Sequence, residues 1–200
     1  MHSFLPGVLT SLGLIMAIGA QNAYVLRQAL KKQHVFAMVL FTAGSDALLI
    51  ALGVFGLGAL IQASPVLLEI MRWGGAAYLV WFGIQSIRNS TKHQSLESTG
   101  GKSEPLKVVM VTLAGFTYLN PHVYLDTVIF LGSIANTFGE HRWTFAYGAM
   151  LGSLIWFASL GFGAQAASKY LQSPKFWKWL DLSIALVMFG IAFTLLFARL

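Results

Sequence analysis

The sequence predicts an all-α, polytopic membrane protein whose six transmembrane helices form two inverted three-helix repeats. Of its 200 residues, 56% are hydrophobic and 10% are charged, whereas a soluble domain carries about 25% charged residues. The apolar residues form runs of roughly 20 or more, the length that a helix needs to cross a bilayer, without the alternation of barrel strands. Three runs precede a polar linker and three follow it, so the two halves enter the membrane from opposite sides.

Six helices and one linker are predicted in chain order. The first repeat, residues 1–87, contains the runs 4–26, 35–61 and 66–87. Residues 88–105 combine serine, glycine and mixed charge and predict a cytoplasmic linker. The second repeat, residues 106–200, contains the runs 106–134, 143–167 and 179–197. Because the first run lacks a basic start and is as long as a membrane span, we expect a retained helix and not a cleaved signal peptide.

Positive charge is divided unequally between the two sides of this arrangement. The loops after the first, third and fifth predicted helices carry ten lysines and arginines, and the opposite side carries three. Short basic loops resist translocation, so we expect them in the cytoplasm and both termini outside it. The net charge of +6 therefore indicates membrane orientation, and no nucleic-acid partner is expected.

Residues 117–126, Thr-Tyr-Leu-Asn-Pro-His-Val-Tyr-Leu-Asp, are unusually polar for an apolar run. Pro121 removes a backbone donor and crowds the preceding turn, so the helix is expected to kink or open there. Polar groups freed in a membrane need protein or cavity water as partners, as at transporter binding sites. A packing kink is the alternative. If the helix resumes, Tyr118, His122 and Asp126 share one stripe, where His122 either exchanges a proton or forms a fixed pair with Asp126.

Polar residues also lie inside two helices of the first repeat. Asp46 falls near the middle of the second predicted helix, where an unpaired carboxylate is costly; it must face a cavity, have a partner or be protonated. Thr42 lies one turn earlier on the same face. In the first helix, Gln21 and Asn22 follow Gly19 and Ala20, where the backbone can be approached closely. For Gln21 alone, a packing contact is the favoured alternative.

Two further sets of residues have simpler interpretations. Asn22-Ala23-Tyr24-Val25-Leu26 echoes Asn120-Pro121-His122-Val123-Tyr124-Leu125 at matching positions of the two halves, which supports the repeat. Glu69 with Arg72, and Asp181 beside the last basic loop, lie near predicted span ends and are expected to form surface ion pairs.

Several chemistries lack a pattern in the sequence. There is no cysteine, and no group of residues has metal-ligand spacing. No phosphate-binding glycine loop or nucleophile motif is present, so neither a cofactor nor an enzymatic activity is predicted. A membrane scaffold, the alternative from a different class, would not explain an aspartate in mid-membrane.

Taken together, the motifs resemble those of a known family. They are Gly19-Ala20-Gln21-Asn22, Ser45-Asp46, Met71-Arg72-Trp73-Gly74-Gly75, the stretch 118–126 and Ser173-Pro174-Lys175-Phe176-Trp177-Lys178-Trp179. The chain resembles the LysE-type lysine/arginine exporters of bacterial inner membranes. The resemblance implies a small secondary exporter of L-lysine, L-arginine or both, driven by the proton motive force. An exporter of another small amino acid or metabolite is the alternative, and homo-oligomerisation is left open.

The resemblance also suggests roles for the polar residues. Asp46 and Asp126 become candidates for binding the substrate cation or the coupling proton. Asn22, Asn120 and Pro121 would shape opened helices that bind the backbone groups of the amino acid. The remaining candidates for the substrate or proton site are Gln21, His122, Tyr118 and Thr42. The family often has proline where this chain has Ala20, which weakens any claim that the first helix is broken as sharply as the fourth.

Overall fold

The computed structural model describes residues 3–16, 19–57, 64–91, 104–170 and 173–197, and these residues are almost entirely helical. Most of the predicted linker, residues 92–103, lies outside the described residues. The helices, numbered in chain order, are α1 (Phe4–Ile15), α2 (Ala20–Leu30), α3 (Val35–Val54), α4 (Pro65–Thr91), α5 (Leu106–Tyr118), α6 (Pro121–Thr137), α7 (Arg142–Ala167) and α8 (Pro174–Phe197). Within α6, Tyr124–Leu131 is a π-helix. Single 3-10 turns, Gly139–His141 and Ser168–Tyr170, flank α7.

Length and composition make several of these helices capable of crossing a membrane. Helices α3 and α8, and α7 with its flanking turns, qualify individually, and the bent pairs α1–α2 and α5–α6 each qualify as one broken span. Within the described residues this gives 3 spans, or up to 5 with the bent pairs. Helix α4 has 27 residues but is less apolar. The all-helical membrane architecture is confirmed, whereas six spans and the inverted repeats stay predictions.

The first predicted helix is broken, contrary to the expectation of one continuous span over residues 4–26. Helices α1 and α2 are inclined by 83° across a break that contains the undescribed residues 17–18. The bend is larger than that in the second repeat, where α5 and α6 are inclined by 63°. The break forms although Ala20 stands where the family often has proline. The reason is that Gly19, directly before α2, is extended, with φ −101° and ψ 173°.

The predicted opening at Pro121 is confirmed. Helix α5 ends at Tyr118, and Asn120 is extended. Pro121 is the first residue of α6, the position at which a missing backbone donor costs least. The Asn120 side chain accepts a hydrogen bond from the His122 backbone N–H at 3.1 Å and so caps α6. Because the chain turns between them, Tyr118 does not continue the stripe of His122 and Asp126.

Helix packing connects the two halves of the chain. The most extensive contacts join α4 to α8 and α1 to α7; α3 packs on both α6 and α7. Glycines permit the close approach of α1 and α7, because a Cβ at Gly7 would collide with the Phe145 carbonyl and one at Gly148 with the Phe4 carbonyl. The two longest sets of contacts therefore place helices of different halves against each other.

A buried ion pair lies where surface charges were expected. Arg27 belongs to α2 and not to the following loop, and its Nε lies 2.8 Å from Oδ1 of Asp181 in α8. Their side chains are only 10% and 6% exposed. The prediction of a surface pair for Asp181 was wrong, because α2 and α8 both extend past the predicted span ends. The predicted pair of Glu69 and Arg72 is present and exposed, at 3.4 Å.

Candidate functional site

A cavity of about 290 Å³ lies where the two broken helices meet. Its walls come from both halves of the chain. Polar or ionisable side chains face it from α2, α3 and α6, while α1, α7 and α8 add apolar ones. The lining residues are Leu14, Ile15, Gly19, Ala20, Gln21, Asn22, Asp46, Asn120, His122, Val123, Asp126, Thr127, Leu131, Phe157 and Ile191.

The wall from the first half is built around the break between α1 and α2. Ile15 is the last residue of α1, so its carbonyl has no partner within that helix. The Asn22 side chain donates Nδ2–H to this carbonyl at 2.7 Å. Trp156 of α7 donates its indole N–H to Asn22 Oδ1 at 3.3 Å. Asn22 thus holds the end of α1 and is itself held by α7.

The second half uses the same device at the break between α5 and α6. Tyr118 ends α5, and its carbonyl accepts a hydrogen bond from the Tyr124 hydroxyl at 3.0 Å. In both halves, a side chain from the second helix satisfies the last carbonyl of the first. An unsatisfied carbonyl would be costly in a membrane, so these hydrogen bonds stabilise the bent chain.

Asp46 enters the cavity from α3 and is only 3% exposed. Ser153 of α7, which is completely buried, donates its hydroxyl to Asp46 Oδ2 at 2.6 Å. Among the described residues, Ser153 provides the one hydrogen bond to this carboxylate, and it is made to Oδ2 and not to Oδ1. Sequence reasoning missed Ser153 and Trp156, because one serine and one tryptophan in an apolar helix carry no distinguishing pattern.

Asp126 enters from α6 and is less deeply buried than Asp46. It lies in the π-helical part of α6, a distortion that is frequent at functional sites. His122, one turn earlier, faces the same cavity. Two carboxylates and an imidazole are thus brought together from α3 and α6, so the cavity can attract a cation or exchange a proton.

Three predicted site residues lie outside the cavity lining. Pro121 is buried at the start of α6. Tyr118 donates its hydroxyl to Ser45 Oγ at 2.9 Å and thereby joins α5 to α3. Thr42 is completely buried and donates its hydroxyl to the Met38 carbonyl of its own helix at 2.9 Å. Roles in substrate binding for these three stay predictions, and their visible contacts are structural.

A sequence model of the LysE type translocator family matches residues 12–199. The chain belongs to this family. The "Lysine exporter LysE" of Corynebacterium glutamicum is 34% identical to it, over 98% of this chain and 99% of the relative. The "Arginine exporter protein ArgO" of Pectobacterium carotovorum subsp. carotovorum is 37% identical, over 96% and 95%. No solved structure matches the chain.

Membership of the LysE type family confirms the resemblance that the sequence motifs indicated. The matched region includes both helix breaks and every residue that lines the cavity. The cavity is therefore part of the region that this chain shares with the translocator family.

Proposed function

We propose that this protein is a secondary transporter that exports the basic amino acids L-lysine and L-arginine from the cytoplasm across the bacterial inner membrane. The observation that carries the proposal is the presence of two aspartates, Asp46 and Asp126, in one cavity between broken membrane helices. Similar chains are named as exporters of lysine and of arginine.

The chemistry of the cavity suits a small cationic substrate. An ammonium or guanidinium group that leaves water needs a negative partner, because an isolated charge is strongly disfavoured in a low-dielectric interior. Asp46 provides one carboxylate, whose Oδ2 accepts a hydrogen bond from Ser153. Asp126, from the other half of the chain, provides a second. A cavity of about 290 Å³ is at the small end of ligand sites, as an amino acid requires.

Proton coupling is assigned to the same group of residues. His122 lies one turn before Asp126, and a histidine can gain or lose a proton near neutral pH. A carboxylate that alternates between substrate cation and proton would couple export to the proton motive force. Asn120 and Gln21 supply amides for polar contacts with the substrate.

The proposal includes six spans in two inverted repeats, residues 1–87 and 106–200, joined by a cytoplasmic linker. Three features support it. First, the first span of each half is broken. Second, the broken span of each half packs on the second span of the other half, α1–α2 on α7 and α5–α6 on α3. Third, the third spans, α4 and α8, pack together. The excess of basic residues after the first, third and fifth spans supports a location of both termini outside the cytoplasm.

The decisive experiment measures efflux from cells preloaded through lysine- or arginine-containing dipeptides, with and without this protein. Asp46→Asn keeps the size and most hydrogen-bonding capacity of the side chain but removes its charge. We expect this variant to reach the membrane at a normal level and to export neither amino acid.

Glu140→Gln is the matched control, because it makes the same change at an exposed position between α6 and α7. It should export at the wild-type rate. Equal efflux with and without the protein would reject lysine and arginine as substrates. Near-normal export by Asp46→Asn would reject this aspartate as the cation or proton site.

The orientation is tested by single cysteines, for which the cysteine-free chain provides a clean background. Cysteines replacing Gln33 and Ser173 should react with a membrane-impermeant thiol reagent only from the cytoplasmic side. A cysteine replacing Glu140 should react only from outside, and the opposite pattern would reverse the orientation.

A further inference from the structure

The first turn of α2 forms part of the cavity wall, and within the described part of the chain its N-cap residue provides no side-chain cap. The residue before the helix, Gly19, has no side chain that could accept a hydrogen bond from the first turn. The space beside it is open, since a Cβ added to Gly19 would meet no atom within 4 Å. The first backbone N–H groups of a helix have no acceptor within it, and the helix dipole favours negative charge at this end. The cavity therefore contains an anion-attracting surface at Gly19, Ala20 and Gln21.

The Gln21 side chain provides a second, independent indication of a ligand. Gln21 lines the cavity and is only 8% exposed. Its amide Nε2 is buried and has no hydrogen-bond partner among the described residues. A buried donor without an acceptor is costly, and a half-turn of the amide exchanges its nitrogen and oxygen. A ligand oxygen in the cavity would satisfy this group.

The corresponding end of α6 is closed to a ligand. Asn120 accepts the backbone N–H of His122 through its side chain at 3.1 Å, and its backbone carbonyl accepts the N–H of Val123 at 3.1 Å. Pro121 has no N–H to offer. The two broken helices thus differ. The backbone N–H groups in the first turn of α6 are accepted by Asn120, whereas those in the first turn of α2 have no side-chain acceptor at the N-cap.

We propose that the first turn of α2, together with the Gln21 amide, binds the α-carboxylate of the transported amino acid. This subsite rests on the proposed function. It accounts for the carboxylate of the substrate, which the two aspartates cannot bind. The positive end of α2 takes the substrate carboxylate, while Asp46 and Asp126 of the same cavity take its cationic groups. The site therefore distinguishes an amino acid from the amine that remains when the carboxylate is absent.

The test compares two substitutions of Gly19 that differ by one hydroxyl group. Gly19 has a negative φ and open space beside it, so both serine and alanine fit. In Gly19→Ser the hydroxyl can cap α2 and compete with the substrate carboxylate. Gly19→Ala adds the same carbon without an acceptor. Dissociation constants of the purified full-length protein are measured by calorimetry for L-lysine and for cadaverine, the diamine that lacks the carboxylate.

We expect wild-type protein to bind L-lysine more tightly than cadaverine by about tenfold or more. Gly19→Ser should weaken lysine binding by about five- to tenfold, the equivalent of one helix cap, and leave cadaverine binding unchanged. Gly19→Ala adds the same carbon without an acceptor, so it should weaken lysine binding clearly less than Gly19→Ser does. Gln21→Leu, a second and independent variant, should also weaken lysine binding and spare cadaverine.

Each contrary result has a distinct meaning. Unchanged lysine binding in both Gly19→Ser and Gln21→Leu overturns the carboxylate subsite and leaves the proposed function intact. An equal loss in Gly19→Ala and Gly19→Ser overturns it too, because the effect would then be steric. Wild-type protein that binds neither lysine nor arginine contradicts the proposed function, and the subsite with it. The thermal midpoint of Gly19→Ser should equal or exceed that of wild type, since a serine cap stabilises a helix.

Discussion

One of the two carboxylate oxygens of Asp46 accepts a hydrogen bond from the Ser153 hydroxyl. The hydrogen bond from Ser153 joins two buried side chains on different helices, at 2.6 Å, and so fixes the direction in which the carboxylate faces the cavity. A hydrogen bond to a charged group contributes about 1.5–3 kcal/mol, enough to control the position of a binding group. Under the proposed function, Ser153 therefore positions Asp46 for the substrate.

Ser153→Ala should reduce export by about tenfold or more, the equivalent of losing one hydrogen bond to a charged group, with a near-normal level of protein in the membrane. Ser11→Ala is the matched control. Ser11 is equally buried, but its hydroxyl has no partner among the described residues, so its loss should leave efflux unchanged. Equal effects of the two substitutions would indicate that Ser153 contributes only packing.

Individual residues could be predicted from sequence where their chemistry conflicts with a membrane. Asp46, Asp126, Asn22, Asn120 and His122 are polar groups in apolar runs, and all five line the cavity. Ser153 could not be identified this way, because a serine is tolerated anywhere in an apolar helix. Its role follows from a contact between α3 and α7, two helices that are far apart in the sequence.

At the scale of the element, the break between α5 and α6 depends on proline. Proline inside a helix costs about 3 kcal/mol, which disfavours one straight helix through residues 106–137. Pro121→Ala removes this bias, so a straight helix can compete with the bent one whose start forms the cavity wall. We expect export to fall much more than the amount of protein inserted in the membrane.

Pro174→Ala is the control for this substitution. Pro174 also begins a helix, α8, but the first turn of α8 contributes no residue to the cavity lining, whereas the first turn of α6 contributes His122. It should leave efflux near the wild-type rate. Normal efflux by Pro121→Ala would instead show that the bend is maintained by the Asn120 cap and by the hydrogen bond from Tyr124 to Tyr118.

The two breaks also show the limits of pattern-based prediction at this scale. The break at Pro121 was predicted because proline leaves a clear signal. The break before α2 was underestimated, because it forms without a proline. Gly19 and the hydrogen bond from Asn22 to the carbonyl of Ile15, seven residues earlier, produce it instead. A glycine is common in membrane helices, so only the contact between Asn22 and Ile15 distinguishes this break from ordinary packing.

At the scale of the whole molecule, Glu104 joins the start of the second half to the first. Its carboxylate lies 3.1 Å from the Lys31 ammonium and accepts a hydrogen bond from Gln28 at 2.9 Å. Partial burial acts to raise the pKa of Glu104, but Lys31 and Gln28 outweigh it and hold this pKa below its usual value. Burial and the nearby Arg27 lower the pKa of Lys31 despite Glu104.

Stability should depend on pH through Glu104. Because its folded-state pKa is lowered, its contribution is present above the unfolded-state pKa of about 4.3 and is lost as pH falls through the folded-state value. Glu104→Gln should lower the thermal midpoint at pH 7 by the equivalent of about 1 kcal/mol or less, since the pair is partly exposed.

The difference from wild type should persist down to about pH 4 and shrink as the pH falls further, through the folded-state pKa of Glu104. Glu140→Gln, at an exposed site, serves as the control and should show no such pH-dependent difference. A difference for Glu104→Gln that stays constant from neutral to acid pH would contradict the electrostatic explanation.

The membrane class and the approximate helices followed from the apolar runs, because a bilayer imposes a minimum length on each span. The way in which the halves pack did not, because α1 against α7 and α4 against α8 are contacts between distant parts of the sequence. The Arg27–Asp181 pair was missed for the same reason: its partners are separated by almost the entire chain.

That separation has a consequence for how the protein is made. Arg27 leaves the ribosome in the first part of the chain, and Asp181 follows only with the last helix. A lone guanidinium is costly in lipid, so α2 must keep Arg27 at the aqueous interface while the intervening helices are synthesised. Docking of α8 then neutralises it. The first membrane segment is therefore completed only after α8 has been synthesised, and a chain truncated before α8 should be left with an unneutralised charge and be open to degradation.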